Sequence, residues 1–236
     1  MEKNNEDNRA LIDFWNRAFT LSEEEKKKES SAEADEWKEL APSEKLFLAA
    51  CSLGRRKKVL DYGCGSAWAS IIAAKSGCDD VTAVDVAPEA ACSARFYAAV
   101  YGVENQVRAC CIAPSWLQTV PSDTYDGLIC SNVLDVVPPE TAEEILREIS
   151  RIVTGYAAVI IGMNYWLSPE AAAAKGMELQ DGNRLYIDGI LRLVSRTDEE
   201  WAALFSPCFT MDRLEYFAWP GEKTEARRLF YLRKRG

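Results

Sequence analysis

The chain has 236 residues, 28 basic against 37 acidic side chains, and a formal net charge of −9. Such an acid surplus repels phosphate backbones and anionic lipid, which excludes nucleic acid and membrane surfaces as expected partners and leaves a small-molecule substrate. No histidine is present, so Ser-His-Asp and Cys-His devices and any imidazole base are excluded, and a zinc site loses its commonest nitrogen ligand.

Eight cysteines stand at positions 51, 64, 78, 92, 110, 111, 130 and 208, without a C-x-x-C pair. Lying mostly in apolar runs, they read as small buried hydrophobes in a reducing compartment, and neither a disulfide framework nor a metal site is expected. The N-terminus is charged, and nowhere do about eighteen apolar residues run together, so the expected localisation is cytoplasmic. The length suits one α/β domain with an appendage. The pattern divides it into an N-terminal helical extension over residues 1–57 and a main domain over 58–236, with an insertion at about 163–195. Nothing in the pattern specifies an oligomeric state.

In the extension, Leu11, Phe14, Trp15, Ala18 and Phe19 recur at three- and four-residue steps and form one apolar stripe on an otherwise polar helix. Ser22-Glu23-Glu24-Glu25 has the pattern of a capping box, with Lys26, Lys27 and Lys28 spaced to pair with the glutamates. A further helix is expected from about Ser43 to Leu53, turning Leu46, Phe47 and Ala50 inward and stopped by Gly54.

From Lys58 the chain alternates between short apolar runs and helical patterns. The first run, Val59-Leu60-Asp61-Tyr62, breaks on Gly63-Cys64-Gly65 and turns into a helix expected over about 66–76. Glycine permits a tight positive-φ turn and lets a ligand lie against bare backbone, and the N–H groups opening the helix favour an anionic or polar ligand end. A second strand, about 80–85, ends on Asp85, placed to accept hydrogen bonds from ribose hydroxyls. Pro88 opens the next helix, a third strand covers about 106–111, and a fourth, Tyr125 to Ser131, is nearly all apolar after Asp126. A helix over about 139–152 and a fifth strand over about 156–162 complete a parallel, doubly wound α/β sheet. Ligands on such sheets bind outside the carboxyl ends of the strands.

The spacing also selects the ligand. A dinucleotide fingerprint needs a small residue three positions after the second glycine, and this chain has Trp68 there. An acid two residues before the first glycine gives instead Asp61-Tyr62-Gly63-Cys64-Gly65-Ser66, which resembles the first motif of the class I S-adenosylmethionine-dependent methyltransferases. That resemblance implies a seven-stranded, mostly parallel Rossmann-like sheet with a C-terminal antiparallel pair, and S-adenosyl-L-methionine as cofactor with S-adenosyl-L-homocysteine as product. It implies that Asp61, Gly63, Cys64, Gly65 and Trp68 surround the methionine part and that Asp85 takes the ribose. Val86, Ile112 and Ala113 would flank the adenine, while Ser131, Asn132 and Val133, ending the fourth strand, would line the cleft beside the methionine and face the acceptor. The chain departs from the family at Ala113, where many members carry an acid that bonds the adenine amino group. The family also closes its site with N-terminal helices, so Phe14 and Trp15 are read either as core packing or as a lid.

The insertion opens with a short helix at Ser168-Pro169-Glu170, and Asp181-Gly182 and Asp188-Gly189 are turn signals around an alternating Asn183–Ile187 run. Hanging over the cleft mouth, it offers Asn164, Tyr165, Trp166 and Tyr186 as candidates for the acceptor pocket. A second capping box, Thr197 to Glu200, starts a helix, and Phe209–Phe217 and Arg227–Leu232 read as the terminal strand pair. Methyl transfer from a sulfonium is an in-line displacement that asks the protein for alignment and exclusion of water. Asp135 is the candidate base if a proton must leave, with a solvated loop aspartate as the alternative reading. A non-catalytic S-adenosylmethionine-binding protein and a nicotinamide-dependent oxidoreductase are the alternatives.

Overall fold

A computed structural model describes residues 2–31 and 35–235. The chain opens with α1 (Glu2–Ala18) and α2 (Glu23–Glu29), passes a 3-10 turn at Glu36–Glu39, and reaches α3 (Glu44–Leu53). Both capping features read from the sequence form here: Ser22 and Glu25 make a reciprocal box, and Ser43 accepts the Leu46 N–H to start α3. Gly54 follows α3 with an ordinary right-handed φ of −58°. Its value lies in close approach, since a Cβ there would stand 2.4 Å from the Ser76 carbonyl oxygen.

Then come β1 (Val59–Tyr62), α4 (Trp68–Lys75), β2 (Val81–Asp85), α5 (Pro88–Val100), β3 (Val107–Cys111), α6 (Trp116–Thr119), β4 (Tyr125–Ser131), α7 (Pro139–Ile152) and β5 (Val153–Met163). The fifth strand begins earlier than the sequence pattern placed it. Val153 leaves α7 directly and pairs with Tyr125 before an irregularity restores the Gly127–Ala158 register. Next are α8 (Pro169–Ala174), β6 (Leu179–Gln180), β7 (Arg184–Ile187), β8 (Ile190–Val194), α9 (Asp198–Phe205), β9 (Phe209–Phe217) and β10 (Arg227–Lys234).

Seven strands form one sheet in the order β3-β2-β1-β4-β5-β10-β9, with β1 to β5 parallel and β10 antiparallel to both its neighbours. It is the expected mostly parallel, doubly wound α/β sheet with an antiparallel closing pair. Strand alternation sorts the core into two layers. Leu60, Tyr62, Leu128 and Cys130 pack with α7 and α9, whereas Val59 and Ile129 pack with α3, α4 and the second half of α5. Helix α7 shows the cause plainly: Ile145, Leu146, Ile149 and Ile152 lie on one buried face, each contributing about 1.5–3 kcal/mol of gross burial.

Strands β6, β7 and β8 make a separate three-stranded antiparallel sheet. Its two turns use Asp181-Gly182 and Asp188-Gly189, all four residues at positive φ, as tight hairpins with right-handed strand twist require. The insertion is tied to the main domain where the Val194 N–H donates to the Asp135 carbonyl at 2.7 Å, and its two ends are joined where Ser195 Oγ exchanges hydrogen bonds with Leu167. Helix α1 packs across it, with the Arg192 guanidinium 3.9 Å from the Phe14 ring centroid. Among the described residues no helix is long and apolar enough to cross a membrane.

Candidate active site

The loop between β1 and α4 turns through left-handed backbone at Gly63, Gly65 and Ala67, with φ of 73°, 53° and 63°. Two N–H groups, of Gly63 and Cys64, donate to the Val84 carbonyl at 2.8 and 3.0 Å, which pins the loop to the end of β2. The next, of Gly65, donates to Asp85 Oδ2 at 3.0 Å, and the Ala87 N–H donates to Asp85 Oδ1 at 2.9 Å. One carboxylate thus spans both loops at the carboxyl edge, and each of its oxygens retains a lone pair for a further donor. Burial pushes the Asp85 pKa up, while the Ala87, Gly65 and Val86 N–H groups pull it back.

The bare faces of the two glycines are occupied by side chains. A Cβ on Gly63 would stand 2.2 Å from Val133 Cγ2, and one on Gly65 would stand 2.6 Å from the Phe19 ring. The close approach anticipated for a ligand is therefore used in part by Val133 and by the residue just past α1. Asn132 leaves β4 at a φ of 58°, a conformation asparagine tolerates, and its N–H donates to the Gly162 carbonyl at 2.8 Å. Ser131 Oγ donates to Asn132 Oδ1 at 3.2 Å and lies over Gly162, where a Cβ would be 2.6 Å from that oxygen.

These loops surround a cavity of about 540 Å³, roofed by α1. Of the twelve residues expected around a cofactor, Gly63, Cys64, Gly65, Trp68, Asp85, Val86, Ile112, Ser131, Asn132 and Val133 line it. Trp68 borders the space without filling it. Asp61 and Ala113 are outside the lining. Asp61 is 4 % exposed and faces α4, where its Oδ2 accepts from the Ser70 N–H and Oγ at 3.2 and 2.7 Å. Burial raises its pKa to about 7 against the lowering effect of those bonds.

The residues proposed for acceptor and base sit elsewhere. Asp135 is wholly buried, accepts the Asn164 N–H at 2.7 Å, and is outside the lining. Its pKa is raised by desolvation, with the Asn164 bonds and the Arg228 charge opposing. Tyr165 lies against Lys175 and Arg227, Trp166 is exposed at the surface of the insertion, and the Tyr186 hydroxyl donates to Asp7 at 2.9 Å.

The wall facing β1 and β4 joins Leu11 and Trp15, which the sequence reading placed on the apolar stripe of the extension, to residues it did not select. Asn8, Leu11, Ile12 and Trp15 of α1 oppose Thr141, Glu144, Ile145 and Glu148 of α7, with Tyr62, Leu117 and Gln118 between. Their signal was present as helical spacing, since 141, 144, 145 and 148 share one face of α7. Trp219, from the turn before β10, closes the far end, its ring 3.6 Å from the Arg227 guanidinium.

Residues 59–155 match the family model described as a methyltransferase domain. Among curated proteins, the ribosomal protein L11 methyltransferase of Vibrio cholerae is 34 % identical over 99 residues, which is 42 % of this chain and 29 % of that protein. Its counterpart from Cupriavidus pinatubonensis is 31 % identical over 146 residues, covering 62 % of this chain and 42 % of the relative. The chain thus spans less than half the length of these relatives. Two solved structures share the fold. The N-methyltransferase NodS of Bradyrhizobium japonicum has a TM-score of 0.60 at 14 % identity, over 90 % of this chain and 98 % of that one. The 1,6-didemethyltoxoflavin-N1-methyltransferase of Burkholderia thailandensis has 0.59 at 19 %, over 85 % and 81 %.

Proposed function

We propose that this chain, whose residues 59–155 match the model of a methyltransferase domain and whose sheet has the strand order of that fold, transfers the methyl group of S-adenosyl-L-methionine to a small organic acceptor, leaving S-adenosyl-L-homocysteine. One observation carries the reading: the glycine loop, the Asp85 carboxylate and the Asn132 turn converge on one cavity at the carboxyl edge of the sheet. The cofactor fits these residues. Asp85 keeps lone pairs for two ribose hydroxyls, and the cavity volume of about 540 Å³ falls within the roughly 300–1,000 Å³ usual for small-molecule sites.

The cofactor, once bound, supplies an electrophilic methyl on a sulfonium. The chain's own residues do the rest. Asp85 holds the loop and the ribose in one register, so that the Gly63–Gly65 backbone can orient the methionine end. Ser131 and Asn132 offer uncharged polar atoms beside it, and Val133 packs against the loop from the β4 side. Helix α1, with Phe19 on Gly65 and Trp15 in the lining, covers the site as a lid and keeps water from the line of displacement. Asp61 supports the cofactor loop from behind through Ser70, and Asp135 ties the turn after β4 to the end of β5 through the Asn164 N–H.

A small acceptor is favoured over a protein segment because the cavity is covered by α1 and walled by side chains of α7. The curated relatives named above act, by their names, on a ribosomal protein, so the two acceptor classes are tested side by side. The intact chain is incubated with methyl-labelled S-adenosylmethionine and either a metabolite library or ribosomal protein L11. Label in a small molecule supports the reading. Label in L11 alone would replace it with a protein acceptor, and no label with any acceptor would leave a cofactor-binding protein without turnover. A compartment that keeps its eight cysteines as thiols, as the cytoplasm does, agrees with all eight being free.

A further inference from the structure

The cavity carries a polarity that the cofactor loop does not account for. Among the described residues its charged lining is Asp85, Glu144 and Glu148, with no lysine or arginine. Asp85 is engaged by the loops, and Glu148 is paired with Arg151 at 2.7 Å. Glu144 accepts only from the neutral Gln118 amide, at 2.7 Å, and has no ion pair among the described residues. An acid at a cavity mouth with no cation beside it favours a ligand that brings one.

Tyr62 gives the second, independent observation. It follows Asp61 on β1 and therefore points to the opposite face of the sheet, into the side of the cavity bounded by α1, α6 and α7. The residue is 6 % exposed, and its hydroxyl has no hydrogen-bond partner among the described residues. Burial, with Cys130, Asp85 and Glu144 adding to it, pushes the phenol pKa up, so the group stays a neutral donor and acceptor. The hydroxyl is not one of the sealed, unpartnered polar atoms among the described residues: it opens on the cavity, where a ligand can bond it. Around it the walls are apolar and aromatic: Leu11, Ile12, Trp15 and Ile145.

We propose that the arm of the cavity between α1, α6 and α7 binds the methyl acceptor as a compact, largely apolar molecule bearing a protonated amine, with the Tyr62 hydroxyl and Glu144 as its polar contacts. This rests on the methyl-transfer reading of the same cavity and adds its substrate class. The ammonium, which has no lone pair to attack a methyl group, is the anchor and not the methylated atom: it donates to the Tyr62 oxygen and is balanced by Glu144, and the aromatic wall favours a cation over its face. A carboxylate or phosphate in the same place would meet acids and no counter-charge.

Calorimetry on the intact chain, saturated with S-adenosylhomocysteine, tests it with three probes of one skeleton: phenethylamine, 2-phenylethanol and 3-phenylpropionate. The amine is expected to bind most tightly, by at least about tenfold over the carboxylate. Glu144→Gln should shrink that preference by about fivefold, and Tyr62→Phe should weaken the amine and the alcohol alike by about fivefold. Each variant is first checked for a cooperative melting transition close to that of the parent. Equal or tighter binding of the carboxylate, no binding of any probe, or a preference that neither variant alters would overturn the proposal with the cofactor reading intact. If S-adenosylhomocysteine itself does not bind, the cofactor reading falls first and the proposal with it.

Discussion

The ring of Phe19 lies against Gly65 so closely that a Cβ on that glycine would come within 2.6 Å of Cζ. The extension beyond α1 and the cofactor loop are therefore fitted to each other, and the Trp15 and Phe19 rings stack at 5.8 Å to continue the contact along the helix. Gly65→Ala should strain a backbone at φ 53° by about 1–2 kcal/mol and force Phe19 away. Limited proteolysis should then cleave within residues 1–57 faster than in the parent, and S-adenosylhomocysteine affinity should drop. Phe19→Ala should speed the same cleavage without the loop strain, so comparing the two separates lid loss from loop distortion.

Asp61 gives a pH signature. Its folded pKa is raised from the ordinary carboxylate range to about 7, chiefly by burial. The folded state therefore holds a proton that the unfolded chain releases near pH 4, and stability falls as pH rises from about 4 to about 7, then levels. The full effect is on the order of 4 kcal/mol. Asp61→Asn keeps an acceptor for Ser70 and should flatten this slope in denaturant titrations at stepped pH. Asp61→Ala should flatten the slope as well and, below about pH 4, where the parent carboxyl is protonated in both states, should cost about 1–3 kcal/mol by leaving the buried Ser70 N–H and hydroxyl without their acceptor.

Asn16 couples α1 to the main domain by an unusual route. Its Oδ1 accepts the Glu89 N–H at 2.9 Å, capping α5 from another helix where the N-cap residue Ala87 has no side chain to do so. Asn16→Ala should cost about 1 kcal/mol. Hydrogen exchange should show the loss at the Glu89 amide together with faster exchange in α1, whereas a purely local effect would leave α1 unchanged.

Much of this was legible in the sequence. The βα alternation placed β1 through β4 within a residue or two, because short apolar runs separated by helical patterns mark them, with Gly63 ending β1 and Asn132 ending β4. Phe14 and Trp15 were open to two readings, and the structure gives the stripe both contacts: Leu11 joins the core while Trp15 lines the cavity. What did not show was direction. Asp61 and Asp85 look equivalent as acids ending apolar runs, and they share one face of the sheet because Asp61 pairs with Ala83, yet Asp61 lies deeper and meets Ser70 of α4, whereas Asp85, the last residue of its strand, meets both loops. Asn164 and Asp135 similarly read as cleft residues, but the long β5 carries Asn164 to β10, where its carbonyl accepts from Arg228 Nε at 2.9 Å. The α7 wall was missed because a helix face gains meaning only once α1 is known to lie opposite it.

Asp85 should control affinity for the cofactor. Asp85→Ala removes two ribose acceptors and the anchor of the Gly65 N–H, a loss of about 10–100-fold in affinity if each charged hydrogen bond contributes its usual share. Because burial raises the Asp85 pKa, affinity in the parent should also fall as pH drops through a value above the ordinary carboxylate range, since protonation withdraws an acceptor.

Titration calorimetry of the intact chain with S-adenosylmethionine, S-adenosylhomocysteine and NAD, repeated on Asp85→Ala, bears most directly on whether the loop, the Asp85 carboxylate and the Asn132 turn form one adenosyl-sulfonium site. The expected result is saturable binding of the first two ligands, none of NAD, and a large loss in the variant. Heat from NAD with no response to either sulfur compound, or binding that Asp85→Ala leaves untouched, would contradict it.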